Sequence, residues 1–123
     1  MSINYKTFGE FLTEKRDERD ITLRELARQL EVSPTFISDV ERNRSTPKAG
    51  RLEKLAEVLH LDSAETAVMY DLVGKQRDSV APDLPDYIKG RDYVSAALRT
   101  ARDLDAGEKE WLDFVADLKK RKG

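Results

Sequence analysis

The chain has 123 residues, 39% hydrophobic, 37% charged and 7% aromatic, and its 22 Lys and Arg against 24 Asp and Glu leave a net charge of -2. That length fits one domain, or one small domain with an appendage, and a composition poor in aromatics and rich in helix formers points to an all-α fold rather than a sandwich or barrel. The absence of cysteine excludes disulfides, thiolate chemistry and the common structural zinc sites, and with no apolar N-terminal core and no run near the roughly 20 apolar residues of a membrane span, a soluble, cytoplasmic protein is expected.

In chain order, Phe8, Phe11 and Leu12 recur at helical spacing and predict a first helix over about residues 5–18. Leu23, Leu26, Ala27 and Leu30 follow the i, i+3, i+4, i+7 rule, with Thr22 as N-cap and Glu25 completing a capping box. This second helix stops near Leu30. Ser33 then caps a third, in which Pro34 at the first position gives up no needed hydrogen bond; it runs to about Arg42 with Ile37 and Val40 inward. Asn43 to Pro47 reads as a loop. Leu52, Leu55, Ala56 and Leu59 make a fourth helix, and Asp62 with Glu65 caps a fifth carrying Ala64, Ala67, Val68 and Leu72. Five helices thus fill a first domain, residues 1–75.

Over residues 76–90 the pattern lapses, and Pro82 and Pro85 predict a linker and hinge, with one short turn around Asp86 to Ile88. Residues 91–123 resume helical spacing. Val94, Ala97, Leu98, Ala101 and Leu104 line one face of a helix, Asp105 is expected to cap the next, and Trp111, Phe114, Val115 and Leu118 line its face before a solvated basic KKRKG tail. Two helices bury little by themselves, so this hairpin is expected to pack on the N-terminal bundle or on a second copy, as a dimerisation region.

Charge is unevenly placed. Arg42, Arg44, Lys48, Arg51 and Lys54 face only Glu53 across their stretch, and phosphate contacts are local, being screened beyond about 8 Å. Two short helices joined by a three-residue turn, the second polar outside, form a helix-turn-helix, which lays its second helix in the DNA major groove. The residues Leu23, Leu26, Ala27 of an LxxLA pattern, Val32–Ser33 of the turn, Ile37, Ser38 and Glu41, loop Pro47, and the LxxLAxxLxL of the fourth helix together resemble the lambda-repressor-like (Xre/Cro) family. The resemblance covers roughly residues 8–62, about half of the chain.

It implies a five-helix DNA-binding domain whose third helix, residues 34–42, reads bases. Thr35 and Phe36 would touch thymine methyls, Ser38 a base or phosphate, and Asp39 a cytosine amino group. Pro34 stands where relatives carry glutamine and offers apolar contact only. Arg42, Asn43, Arg44 and Lys48 would grip phosphate. Leu23 also replaces a glutamine, so the backbone contact at that helix start passes to Thr22 or to N–H groups there. Arg16 and Glu41 match an internal ion pair of relatives. Plainer readings stand beside these: the leucine stripes are core, Asp39 is a solvated carboxylate pairing with Asn43 or Arg42, Arg51 and Lys54 line a solvated face, His60 favours a helix C-terminus, and Trp111 is a buried anchor.

No Gly-rich phosphate loop, nucleophile elbow or histidine–carboxylate cluster is present, so no enzyme, cofactor or metal is expected. Double-stranded DNA and a second copy of the chain are the expected partners, and a dimeric repressor at a palindromic operator is the expected function. The competing reading is an antitoxin-like or adaptor helix-turn-helix protein whose main partner is another protein. The order of helix-turn-helix, Pro-containing linker and two helices ending in EKEWLDFVADLKK also resembles small repressors of mobile elements and stress responses. That resemblance implies a further partner, an ImmA/IrrE-type metallopeptidase cutting around Leu104 to Gly107.

Overall fold

The structure, a computed structural model, describes residues 7–123, and among them it contains α-helices and no strand. The helices are α1 (Phe8–Glu18), α2 (Leu23–Leu30), α3 (Pro34–Glu41), α4 (Ala49–Val58), α5 (Ser63–Gln76), α6 (Asp83–Ile88), α7 (Asp92–Asp103) and α8 (Glu108–Lys122). The chain divides into two compact units after Leu84.

Local chemistry accounts for most helix starts in the first unit. Thr7 Oγ1 accepts from Glu10 N at 3.1 Å, Thr22 Oγ1 from Glu25 N at 3.1 Å, and Ser33 Oγ from Phe36 N at 3.0 Å. The first helix therefore begins at Phe8; a start near residue 5 would lie outside the described residues. Asp62 and Glu65 form both halves of a capping box, whereas at α2 only the threonine half forms. The Glu25 carboxylate instead takes Arg28 Nε at 3.0 Å and Gln29 Nε2 at 2.7 Å, because both lie a turn further on along the same face.

The helix ends share one conformation. Asp20, Glu31, Asn43, His60, Asp78 and Asp105 have φ between 52° and 62°, the left-handed turn that lets a following N–H reach back to the last carbonyls. Asp105 therefore ends α7 and does not cap α8: an N-cap needs extended backbone, and Gly107 supplies it, with Glu110 Oε1 accepting from Gly107 N at 3.1 Å.

Phe8, Phe11 and Leu12, Leu26, Ala27 and Leu30, Ile37 and Val40, Leu52, Leu55 and Leu59, and Met69, Leu72 and Val73 form one core. Ala64 and Ala67 are exposed; α5 turns inward through Met69, Leu72 and Val73 instead. A second tie joins α1 to α5. Lys15, itself buried, sets Nζ 2.8 Å from Glu65 Oε2, while Arg19 Nη2 reaches Glu65 Oε1 at 3.3 Å and Arg19 Nε donates to Leu59 O at 2.6 Å. These bonds hold the Glu65 carboxyl below its ordinary pKa, chiefly through Lys15 and then through the Asp62 N–H.

The first unit runs past residue 75. After α5 the chain folds back so that Ser79 N donates to Gly74 O at 2.8 Å, Ala81 is buried, and Arg77 Nη2 donates to Pro47 O at 2.7 Å. The prolines do not prevent a helix: Pro82 precedes α6 and Pro85 sits in its first turn, where no N–H is required. In the second unit no residue of α7 or α8 is buried. The basic KKRK run is solvent-exposed and helical, forming the last turn of α8.

Candidate nucleic-acid interface

The turn between α2 and α3 is set by Glu31 at φ 57°, with Glu31 N bonded to Arg28 O and Val32 N to Ala27 O at 3.2 and 3.0 Å. It delivers Ser33 in extended conformation, and α3 starts at once. At 100° per residue, Pro34, Thr35, Ser38, Asp39 and Arg42 share one side of α3, and Ile37 and Val40 the buried side. Pro34 and Thr35 are exposed, while Ser38 and Asp39 are half-buried.

Phe36 belongs with the other side. It is half-buried and packs on the core, so its ring is directed away from the stripe that would meet base edges. Its position two residues after Pro34 in the helix turns it about 200° from that residue. Leu23 turns its side chain onto the core, which leaves its backbone N–H at the start of α2 for an anion. Thr22 is exposed there with its hydroxyl oxygen engaged as the cap, and Arg24, also exposed, adds a cation that the motif-based reading passes over.

Arg42, Arg44 and Lys48 are exposed, and among the described residues none of them pairs with a carboxylate. The loop that carries them is fastened by Asn43 N to Val40 O at 3.0 Å and Arg44 N to Asp39 O at 2.8 Å. Lys48 begins α4 without a side-chain cap. The open N–H groups of that helix start and three unpaired cations favour anions on the same edge.

Asn43 has a different occupation. Its Oδ1 accepts from Gly9 N at 2.9 Å and its Nδ2 donates to Thr7 Oγ1 at 3.2 Å, so the amide closes the N-terminus of α1 and keeps one N–H donor. This requires close approach: a Cβ built on Gly9 would lie 2.3 Å from Glu41 O. Further along α1, Arg16 Nε donates to Glu41 Oε2 at 2.7 Å and Arg16 Nη1 to Ile21 O at 2.9 Å. The Glu41 hydrogen bond raises the Arg16 pKa, against an opposing desolvation. Two points on α1 therefore hold the end of α3. Arg51 Nη1 also donates to Leu30 O at 3.3 Å, which ties α4 to the end of α2.

In the second unit Trp111, Phe114 and Val115 are 40%, 51% and 42% exposed, Leu118 is half-buried, and the Trp111 and Phe114 rings meet edge-on at 6.4 Å. Trp111 is thus not a buried anchor within the chain. With Leu98, Ala101, Arg102, Asp105 and Ala106 it lines a shallow groove of about 320 Å³. Among the described residues no group of three or more His, Cys, Asp or Glu is placed to hold a metal, and no helix is long and apolar enough to cross a membrane.

A helix-turn-helix family model matches residues 12–65. The chain is 33% identical over 57 residues to the ImmF control region 10 kDa protein of Bacillus phage phi105, a match covering 46% of this chain and 63% of that protein, under two thirds of its length. It is 27% identical over 126 aligned positions to the HTH-type transcriptional regulator DdrOP3 of Deinococcus deserti, covering 90% of this chain and 95% of the relative. A chain of the SinR protein/SinI protein complex is 23% identical, with 94% of this chain and 98% of that chain covered at a TM-score of 0.45. Over residues 12–65, which hold α2, the turn and α3, the chain is thus similar to helix-turn-helix proteins.

Proposed function

We propose that this protein is a DNA-binding transcriptional regulator, acting as a dimeric repressor on a two-half-site operator. The observation that carries the reading is the outward stripe Pro34, Thr35, Ser38 and Asp39 on α3, bordered by the unpaired cations Arg42, Arg44 and Lys48. The stripe would face base edges while Arg42, Arg44, Lys48 and the α2 start at Thr22 take phosphates, and the Arg16–Glu41 pair orients α3. The names of two relatives, a control-region protein and a transcriptional regulator, support the same reading.

Dimerisation falls to α8, where Trp111, Phe114 and Val115 stay 40%, 51% and 42% exposed and Leu118 is only half-buried. Two linked half-site contacts multiply affinity, so loss of the dimer releases the operator. The α7–α8 turn is a fit point for a metallopeptidase: Leu104 is 78% exposed and Asp105 sits at φ 57°. A cut there detaches α8. Incubation with a metallopeptidase encoded beside the gene tests this part, and an uncut chain, or a cut chain that still dimerises, rejects it.

The DNA reading is tested by gel shift with the DNA upstream of the protein's own gene across a salt series. Arg44→Ala should weaken binding to specific and random DNA alike and lower the salt slope by about one phosphate, whereas Thr35→Ala should change sequence preference and leave the slope alone. Identical behaviour of the two variants on both DNAs rejects the assignment. Absence of any shift favours a helix-turn-helix protein that binds another protein.

A further inference from the structure

The charges of α8 are sorted along its length. Glu108 and Glu110 lie in its first turn, and Lys119, Lys120, Arg121 and Lys122 in its last. Its apolar residues Trp111, Phe114, Val115 and Leu118 fall between these ends at i, i+3, i+4 and i+7, on one stripe. Resting on the dimer reading above, we infer that two copies pair α8 against α8 in opposite directions, crossing at Phe114 and Val115.

The register follows from the stripe. Antiparallel pairing about that crossing sets Trp111 of each copy against Leu118 of the other, so the widest ring meets a branched aliphatic chain rather than its own twin. It also sets Phe114 against Val115. A two-fold axis between antiparallel helices maps each flank onto itself. On one flank Glu110 then falls beside Arg121 of the second copy, and on the other Glu108 beside Lys119. Every such contact occurs twice.

Parallel pairing does the reverse. It stacks four cations on four cations at one end, glutamates on glutamates at the other, and aligns two helix dipoles side by side. The intrahelical pairs do not obstruct the antiparallel arrangement. Lys109 and Asp113, 2.6 Å apart, occupy the far side of the helix. Arg121 meets Asp117 at 3.1 Å, and a guanidinium fork has donors for two carboxylates. Glu110 uses one oxygen on Gly107 N and keeps the other.

The test uses the full chain. Glu110→Lys and Arg121→Glu should each raise the dimer dissociation constant about tenfold, read by sedimentation, because two attractive pairs become repulsive at once. The double variant should return it to near the wild-type value. In a parallel dimer each single reversal would set a cation among the partner's glutamates or a carboxylate among its cations, and the constant would fall instead of rising. Since the chain has no cysteine, Val115→Cys and Lys122→Cys each carry a single thiol for a short bismaleimide. Linkage is expected at 115 and not at 122, where antiparallel helices separate the two thiols by roughly 22 Å along the axis. Dimers that link at 122, or that ignore both charge reversals, overturn the head-to-tail arrangement and leave the dimer reading standing. A chain that is monomeric at every concentration overturns the dimer reading itself.

Discussion

Two helical glycines should respond to alanine with opposite sign. A Cβ on Gly9, in the first turn of α1, would sit 2.3 Å from Glu41 O and 2.8 Å from Asn43 Oδ1. Ordinary van der Waals contact starts near 3.4 Å, so α1 and the end of α3 must part by about 1 Å, into backbone that cannot rotate away. Overpacking of this kind costs about 1–3 kcal/mol, more than the roughly 1 kcal/mol that alanine returns in helix propensity. The shift would also break the Gly9–Asn43 bond at 2.9 Å. Gly50, in the first turn of α4, has nothing within 4 Å, and Gly50→Ala should stabilise by about 0.5 kcal/mol. Urea denaturation of each variant against wild type measures both. A Gly9→Ala protein as stable as wild type would refute the close approach of α1 to α3, and a destabilised Gly50→Ala would refute the open space at α4.

Glu31 holds φ 57° at the helix-turn-helix turn, so Glu31→Gly should gain about 0.5–1 kcal/mol in the same assay by removing a left-handed Cβ penalty. Glu65 binds Lys15 at 2.8 Å and has a lowered pKa. A carboxyl depressed on folding contributes stability that is complete above its unfolded pKa and is lost as pH falls through the folded one. Stability should therefore decline below about pH 5, and Glu65→Gln should show a shallower decline with a lower plateau at neutral pH. The single tryptophan reports on α8: if Trp111, 40% exposed within one chain, is covered in the dimer, dilution should shift its emission to the red, and a concentration-independent spectrum would count against that cover.

Apolar spacing was enough to read the core, because Phe8, Leu26, Ile37, Leu52 and Leu72 each sit on a stripe that only a helix brings to one side. It could not say where helices end. Asp105 scores as a cap by residue type, and only its positive φ shows that it closes α7 instead. Nor could it weigh Phe36. A large aromatic in a polar helix reads as a contact residue until the helical phase is fixed, and the phase puts it with Ile37 and Val40. Asn43 illustrates the remaining gap. Its partners Thr7 and Gly9 lie 36 and 34 positions away, and no local pattern encodes so distant a contact. The Lys15–Glu65 bond is hidden in the same way. Family resemblance pairs Arg16 with Glu41 by position alone; the packing of α1 on α3 brings their side chains to 2.7 Å.

The central claim, that the outer side of α3 and its basic loop meet DNA, is tested most directly by following backbone amide signals of the labelled protein as duplex DNA carrying the upstream region is added. The largest changes are expected at Thr22 to Glu25 and Ser33 to Lys48, with α8 unmoved. Changes concentrated on α7 and α8, or none at Thr35, Ser38 and Arg44, would contradict it.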